Sequence, residues 1–380
     1  MKNIYLDNAA TTQVDSSVLK AMIPYFNEKY GNASSKHIFG TEAKETLAKA
    51  RKTIAKSIGA SPDEIVFTSG GTESNNFTLK GLFFSNIKKG KNHIITTKVE
   101  HDCILNSCKW LETQGAKVTY LDVDTEGFII PSQIEKAITE KTFLVSVIHG
   151  HNEIGTINNL RKIGEICKQK NVLFHSDACQ SYTKVPIDVK KDNIDLLTLN
   201  AHKIHGPKGV GALYIRKGIE IIPLLTGGGQ ERGFRSGTEN IPGIVGFASA
   251  SEAISSSDIK RMTTLRDKLI TNLTKIPNVK LNGATGEKRL CNNINLTFDN
   301  IDGEILGGYL EHYGIMSSTG SACMSNTNQH SSHVLKALGL SEKDAASSIR
   351  LSISKYTTEK EIDFVLEVMP KIVEKLRRYS

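Results

Sequence analysis

Asn200-Ala201-His202-Lys203-Ile204-His205-Gly206-Pro207-Lys208-Gly209-Val210-Gly211 is the stretch on which the reading of this chain turns. An apolar run over residues 194–199 enters it and another over 210–215 leaves it. Lys203 therefore stands between two strands, just ahead of a Gly/Pro-rich turn. Lysine is the side chain that can hold an aldehyde cofactor as a Schiff base. One lysine carries little weight, since most are solvated surface. The weight comes from what precedes it.

Upstream, His175-Ser176-Asp177-Ala178-Cys179-Gln180 places a carboxylate just after the apolar run 172–174. The carboxyl ends of strands are where α/β sheets present ligand-binding groups. Asp177 could pair with a protonated heterocycle nitrogen, or it could cap a local helix. Further upstream, Ile65-Val66-Phe67-Thr68-Ser69-Gly70-Gly71-Thr72-Glu73-Ser74-Asn75-Asn76 runs from a strand through two glycines into a polar helix opening. The glycines let backbone N–H groups approach an anion, and the helix start adds partial positive charge. The Gly-Lys-Ser/Thr ending of a P-loop is missing. Each motif alone has an ordinary reading as a turn, a cap or a surface lysine. Their order decides: phosphate turn, acid after a strand, lysine after the next strand. That is the layout of fold type I pyridoxal 5′-phosphate (PLP) enzymes.

The rest of the 380 residues supports such a layer. Strand-like runs at 65–68, 93–96, 117–121, 143–148, 172–175, 194–199 and 210–215 alternate with amphipathic stretches at 41–58, 74–84 and 159–169. This predicts an α/β fold with a mixed, mostly parallel seven-stranded sheet covered by helices. After about residue 250 the pattern changes to a helix at 257–275, a strand at 293–298, a helix at 303–312, a strand at 349–354 and a last helix from 358. We expect a large domain over 13–255, with 1–12 and 256–380 forming a smaller α+β domain bounded near Ser255-Ser256-Ser257.

Hydrophobic residues at 39% and charged residues at 23% fit a globular protein with a sizeable core. No apolar run approaches the ~20 residues that cross a bilayer, and MKNIYLDNAATT carries no signal-peptide core; a cytoplasmic protein is expected. Net charge is +8, but it is spread along the chain without a nucleic-acid motif. The cysteines at 103, 108, 167, 179, 291 and 323 form no C-x-x-C pair, so neither a disulfide scaffold nor a metal site is expected. Cys323 differs from the rest. It sits in Ser317-Ser318-Thr319-Gly320-Ser321-Ala322-Cys323-Met324-Ser325, a run of small residues that buries little apolar area and should keep the thiol accessible.

Over essentially its whole length the chain resembles cysteine desulfurases of the NifS/IscS type, within the class V aminotransferase family. The resemblance rests on YLDNAATT at 5–12, Gly31-Asn32, TSGGTESNN at 68–76, Glu100-His101, Asn152-Glu153-Ile154-Gly155, the Asp177 motif, AHKIHGPKG at 201–209, RSGTEN at 235–240, GSAC at 320–323 and SSIRLSIS at 347–354. It implies that Lys203 binds PLP and moves the Cα proton, that Asp177 pairs with the ring nitrogen, and that Gln180 meets the ring hydroxyl. His101 would stack on the ring and help move the substrate thiol proton. Gly71, Thr72, Asn200, His202 and Thr238 would bind phosphate, Thr238 from the partner subunit of a homodimer. Asn152 would line the cofactor site and, with Arg350, hold the substrate carboxylate, for which guanidinium is well shaped. Cys323 would take sulfur from L-cysteine as a persulfide and pass it to an acceptor, an iron–sulfur scaffold or a thiolation enzyme. Selenocysteine lyase, another PLP reaction, and a sulfur donor for tRNA or DNA modification remain as alternatives. Four positions depart from the family pattern: Ala33 in place of proline, His151 in place of asparagine, Cys179 in place of threonine or valine, and Asn200 in place of serine. Cys179 is expected to be structural, with a reactive thiol as the alternative.

Overall fold

A computed structural model describes residues 3–319 and 332–378. The chain opens with β1 (Ile4–Tyr5), α1 (Ser16–Met22), α2 (Pro24–Asn27) and α3 (Ile38–Ser57). Alternation then begins: β2 (Ile65–Thr68), α4 (Gly71–Asn86), β3 (His93–Thr97), α5 (Asp102–Thr113), β4 (Lys117–Leu121), α6 (Pro131–Ala137), β5 (Thr142–Ile148), α7 (Leu160–Gln169) and β6 (Leu173–Asp177). β7 (Leu196–Asn200), β8 (Gly211–Ile215) and α8 (Ile241–Ser251) complete this part. The last third holds α9 (Ser256–Leu273), β9 (Val279–Leu281), β10 (Asn293–Phe298), α10 (Gly303–His312), β11 (Ile315–Met316), α11 (His333–Ala337), α12 (Glu342–Ala346), β12 (Ser348–Ser352) and α13 (Glu359–Arg377).

Among the described residues the large sheet has seven strands in the order β2-β8-β7-β6-β5-β3-β4. β8 runs antiparallel to both its neighbours, and the other pairings are parallel. The expected mixed, mostly parallel sheet is therefore present. Helices cover both faces, and successive strand residues feed two separate apolar clusters. Leu196 and Leu213 pack with Phe77, Phe83 and Leu111 on one side, while Leu197, Ala212 and Tyr214 pack with Ile54, Phe247 and Ile163 on the other. A sheet buried on both faces reads as continuous apolar runs, which is why its strands are found within two residues of the sequence reading. Asp177 is the exception of kind: it is the last residue of β6 rather than the residue after the strand.

The smaller sheet is antiparallel, ordered β12-β10-β9, and rests on α9, α10 and α13 through a third apolar cluster. Ser255 is the N-cap of α9, closing a capping box with Asp258. The serine run is thus a helix start. The stretch carrying α11 and α12 turns back, and its Val334, Leu335, Leu338 and Ala345 join the large-sheet core.

Candidate active site

The carboxyl ends of β5, β6 and β7 and the starts of α4 and α5 surround a cavity of about 170 Å³. Its wall includes Gly71, Thr72, His101, Asn152, Asp177, Gln180, Asn200, His202, Lys203 and Arg350, which the sequence pointed to, with Ala9, Asn75, Cys103, Ile148 and Cys179 added. Thr238 is exposed and is not part of this wall in the single chain. Cys323 lies outside the described residues.

At one end stands the start of α4. Its first turn, Gly71-Thr72-Glu73, lacks the apolar period, so the sequence reading begins this helix three residues late. A methyl group at position 71 would lie 2.5 Å from Cys179 Sγ and 3.7 Å from Asn200 Nδ2, so only glycine lets the backbone open here. Glu73, in the same turn, accepts from the Ser69 N–H at 2.8 Å and pairs with Arg235 at 3.0 Å. Burial alone would raise its carboxyl, but Arg235 and Ser69 outweigh that and hold it below the usual range. The Glu73 charge is thereby matched locally, and the stretch carrying Thr238 is tied to the helix opening.

At the end of β6, Asp177 is 5% exposed; Oδ1 accepts from the Cys179 N–H at 2.9 Å and Oδ2 from Asn75 Nδ2 at 2.6 Å. Gln180 Nε2 donates to the Ala9 carbonyl at 2.8 Å. Lys203 Nζ donates to the same carbonyl and to that of Ala10. Lys184, almost buried, reaches the carbonyls of Gln180 at 2.9 Å and Lys203 at 3.1 Å and so joins the two turns that bear the site; burial lowers its ammonium to about 8. His202 is held to about 4 by burial and then by the positive charge of Lys203, so its ring is neutral. Its Nδ1 is 3.2 Å from Thr11 Oγ1.

Arg350 enters from the small sheet and is 2% exposed. Nη2 pairs with Asp7 at 2.9 Å and Nη1 donates to the Asn152 carbonyl at 3.3 Å, but Nε has no partner among the described residues. A buried guanidinium N–H without a partner is costly unless a ligand supplies one. Behind His101, Glu100 accepts on Oε1 from Thr97 at 2.8 Å and from the Ile148 N–H at 3.0 Å, and burial raises its carboxyl to about 8.

Two departures now have physical accounts. His151 is buried; Nε2 donates to the Val99 carbonyl at 2.7 Å and Nδ1 accepts from the Glu153 N–H at 3.1 Å, so the ring staples the turn after β5. Burial keeps it neutral, at about 4. Burial, and then the adjacent Asp177, push the Cys179 thiol well above its usual range, which disfavours a thiolate there. The sequence reading missed Ala9, Asn75, Cys103 and Lys184. Asn75 had a usable signal: it stands one helical turn after Gly71, on the same face.

The donor set fits an anionic aldehyde cofactor: a helix opening that only glycine permits, a carboxylate held at a strand end, a lysine and an incompletely paired guanidinium. Similarity to known proteins points the same way. The cysteine desulfurase IscS of Methanosarcina thermophila is 50% identical over 383 residues, covering 100% of this chain and 94% of that protein. The solved structure of a NifS-like protein matches with a TM-score of 0.92 at 43% identity, over 98% of this chain and 100% of that one. SspA, solved in complex with cysteine, matches with a TM-score of 0.83 at 39% identity, over 93% of this chain and 100% of that one. Aminotransferase class-V matches residues 4–365, from β1 into α13. That span takes in both sheets, the cavity between them and Arg350, and the chain belongs to the aminotransferase class-V family.

Proposed function

We propose that the protein is a PLP-dependent cysteine desulfurase, converting L-cysteine to L-alanine and retaining the sulfur as a persulfide on Cys323. The observation that carries this reading is the convergence of Lys203, Asp177 and the incompletely paired Arg350 on one cavity. The names of similar proteins, and the cysteine held by one of them, support the choice of substrate.

Pyridoxal 5′-phosphate, when bound, supplies an electron sink for bonds to the amino-acid Cα. Gly71, Thr72, Asn200 and His202 would hold its phosphate, Asp177 its ring nitrogen, Gln180 its hydroxyl and Lys203 its aldehyde. Asn152 and Arg350 would orient the substrate by its carboxylate. Lys203 would move the proton at Cα, and His101 would attend the substrate sulfur. Cys323 must react as a thiolate; a free thiol titrates near ~8.5, so a positive neighbour has to assist. In sum, L-cysteine and the Cys323 thiol give L-alanine and the Cys323 persulfide.

The sulfur then passes to an acceptor protein, an iron–sulfur scaffold or a thiolation enzyme. A homodimer in the cytoplasm is the proposed form. Leu19, Ile23, Phe26, Tyr30, Ile38 and Phe39 are exposed along α1 to α3, an apolar surface that a second copy could cover, bringing its Thr238 to the phosphate site. The domain division at 13–255 against 1–12 with 256–380 is proposed with it, supported by the separate core under the small sheet.

The test is mass spectrometry after adding L-cysteine without reductant. The peptide containing Cys323 should gain about 32 Da, one sulfur atom. Cys323→Ala should retain the cofactor yet release little alanine. Sulfur found on Cys103 or Cys179, or wild-type turnover by Cys323→Ala, would overturn the assignment.

A further inference from the structure

Asn75 and Cys103, both on the cavity wall, take no part in the reaction as read above. Asn75 is fully buried in α4. Its Nδ2 lies 2.6 Å from Asp177 Oδ2 and 3.1 Å from Cys103 Sγ. A carboxylate can only accept, so the amide nitrogen rather than its oxygen must face these two atoms, giving one N–H to each. The sulfur, having received an N–H, keeps its own S–H to donate. His101 Nδ1 is 3.1 Å from that sulfur. The same nitrogen receives the backbone N–H of Cys103 at 3.1 Å, as the N-cap of α5. A backbone N–H can only donate, so Nδ1 presents its lone pair, and the neutral ring carries its hydrogen on Nε2.

We propose that Asn75 and Cys103 are positioning residues that join Asp177 to His101 through hydrogen bonds and hold neutral His101 in the Nε2–H form. The consequence concerns the direction of proton movement. With Nδ1 turned to the helix cap, the nitrogen the ring can bring to the cavity is Nε2, and there it is a donor. His101 can then donate to the substrate sulfur from Nε2, and a proton taken up by the ring must enter at Nδ1, where it would displace the Cys103 N–H that caps α5. This rests on reading the cavity as the active site.

The experiment is nitrogen NMR of the holoenzyme with ring-labelled histidine, the His101 signals assigned by their loss in His101→Gln. In the wild type Nδ1 should be pyridine-type and Nε2 should carry hydrogen. In Cys103→Ala the Nδ1 signal should move toward that of a ring nitrogen with fewer donors, and alanine release should fall about fivefold, the loss of one ordinary hydrogen bond. Cys103→Ser keeps a donor and an acceptor and should restore both. Asn75→Ala should move the signal the same way by less, because the sulfur remains. A protonated Nδ1 in the wild type overturns the proposal, and this spectrum decides even if a variant does not fold. An unmoved signal in Cys103→Ala removes Cys103 from the relay, and one in Asn75→Ala removes Asn75. Failure of the wild type to make alanine from cysteine would instead sink the desulfurase reading, with the tautomer still measured.

Discussion

In β10, Asn293, Asn295 and Thr297 alternate with Ile294, Leu296 and Phe298, and all six are buried. The apolar set packs on the core under the small sheet. On the polar side Asn293 and Asn295 donate to the Glu153 carbonyl, and Thr297 bonds with Asn282 and Ser348. The strands of the large sheet work differently. Alternate residues of β7 and β8 go to two apolar cores, one on each face. Of the cavity residues, Asp177 and Asn200 stand at strand tips, ending β6 and β7. The small sheet gives one whole face to polar groups and can place Arg350 in mid-strand, at β12. Tips suit a cofactor that many chain segments must grip. A face suits a single rigid anchor for the substrate.

Removing Lys203 should show the tip at its most exposed. Lys203→Ala should cost about 10³-fold or more in alanine release while thermal stability stays near wild type, since Lys203 contributes no apolar burial. A large drop in melting temperature would show that the tip also supports the fold. Leu296→Ala probes the apolar face of the small sheet and should behave in reverse. It should cost about 3 kcal/mol in denaturant unfolding and leave kcat/KM within a small factor. Arg350→Lys tests the polar face. Loss of the planar fork should lower kcat/KM about 100-fold, mainly through KM; an effect confined to stability would make Arg350 structural.

A pH dependence is expected beneath the tips. Burial lifts the Glu100 carboxyl to about 8, against an ordinary value of about 4.3. The folded state therefore keeps a proton that the unfolded chain releases, and this lowers stability as pH rises between those values. Glu100→Gln cannot titrate, so its stability relative to wild type should climb across that window and level off above it. Denaturation midpoints at several pH values would measure this, and a relative stability that fell with pH would reverse the assignment.

The seven strands were legible because burial on both faces leaves unbroken apolar runs, and β10 because alternation is an equally plain signal. α8 was not read. Ile241–Ser251 is apolar on nearly every side and buried between α1 and α3, so it has no polar stripe to mark a helical period. The two-residue strands β1 and β11 are too short to carry any pattern. In the cavity, residues whose type suggests a role were legible; Ala9 and Asn75 stand inside quoted motifs without one, and Cys103 and Lys184 are defined only by proximity. Cys103 matters because the cap of α5 folds it toward Asn75, and Lys184 because it spans two turns; neither relation exists along the chain.

The opening segment gives the molecule an order of events. Ile4 and Tyr5 pair with Ile315 and Met316, and Asn8 bonds to the Ser352 carbonyl. A few residues on, the carbonyls of Ala9 and Ala10 hold Lys203. On the ribosome this segment emerges about 300 residues before its partners in β11 and β12. A nascent chain halted between α8 and α9 would carry all seven strands of the large sheet, with residues 4–8 still waiting for their partners. Asp177, Asn200 and Lys203 could come together before Arg350 is made. With the roles proposed above, synthesis itself would delay a complete site until β12 has emerged.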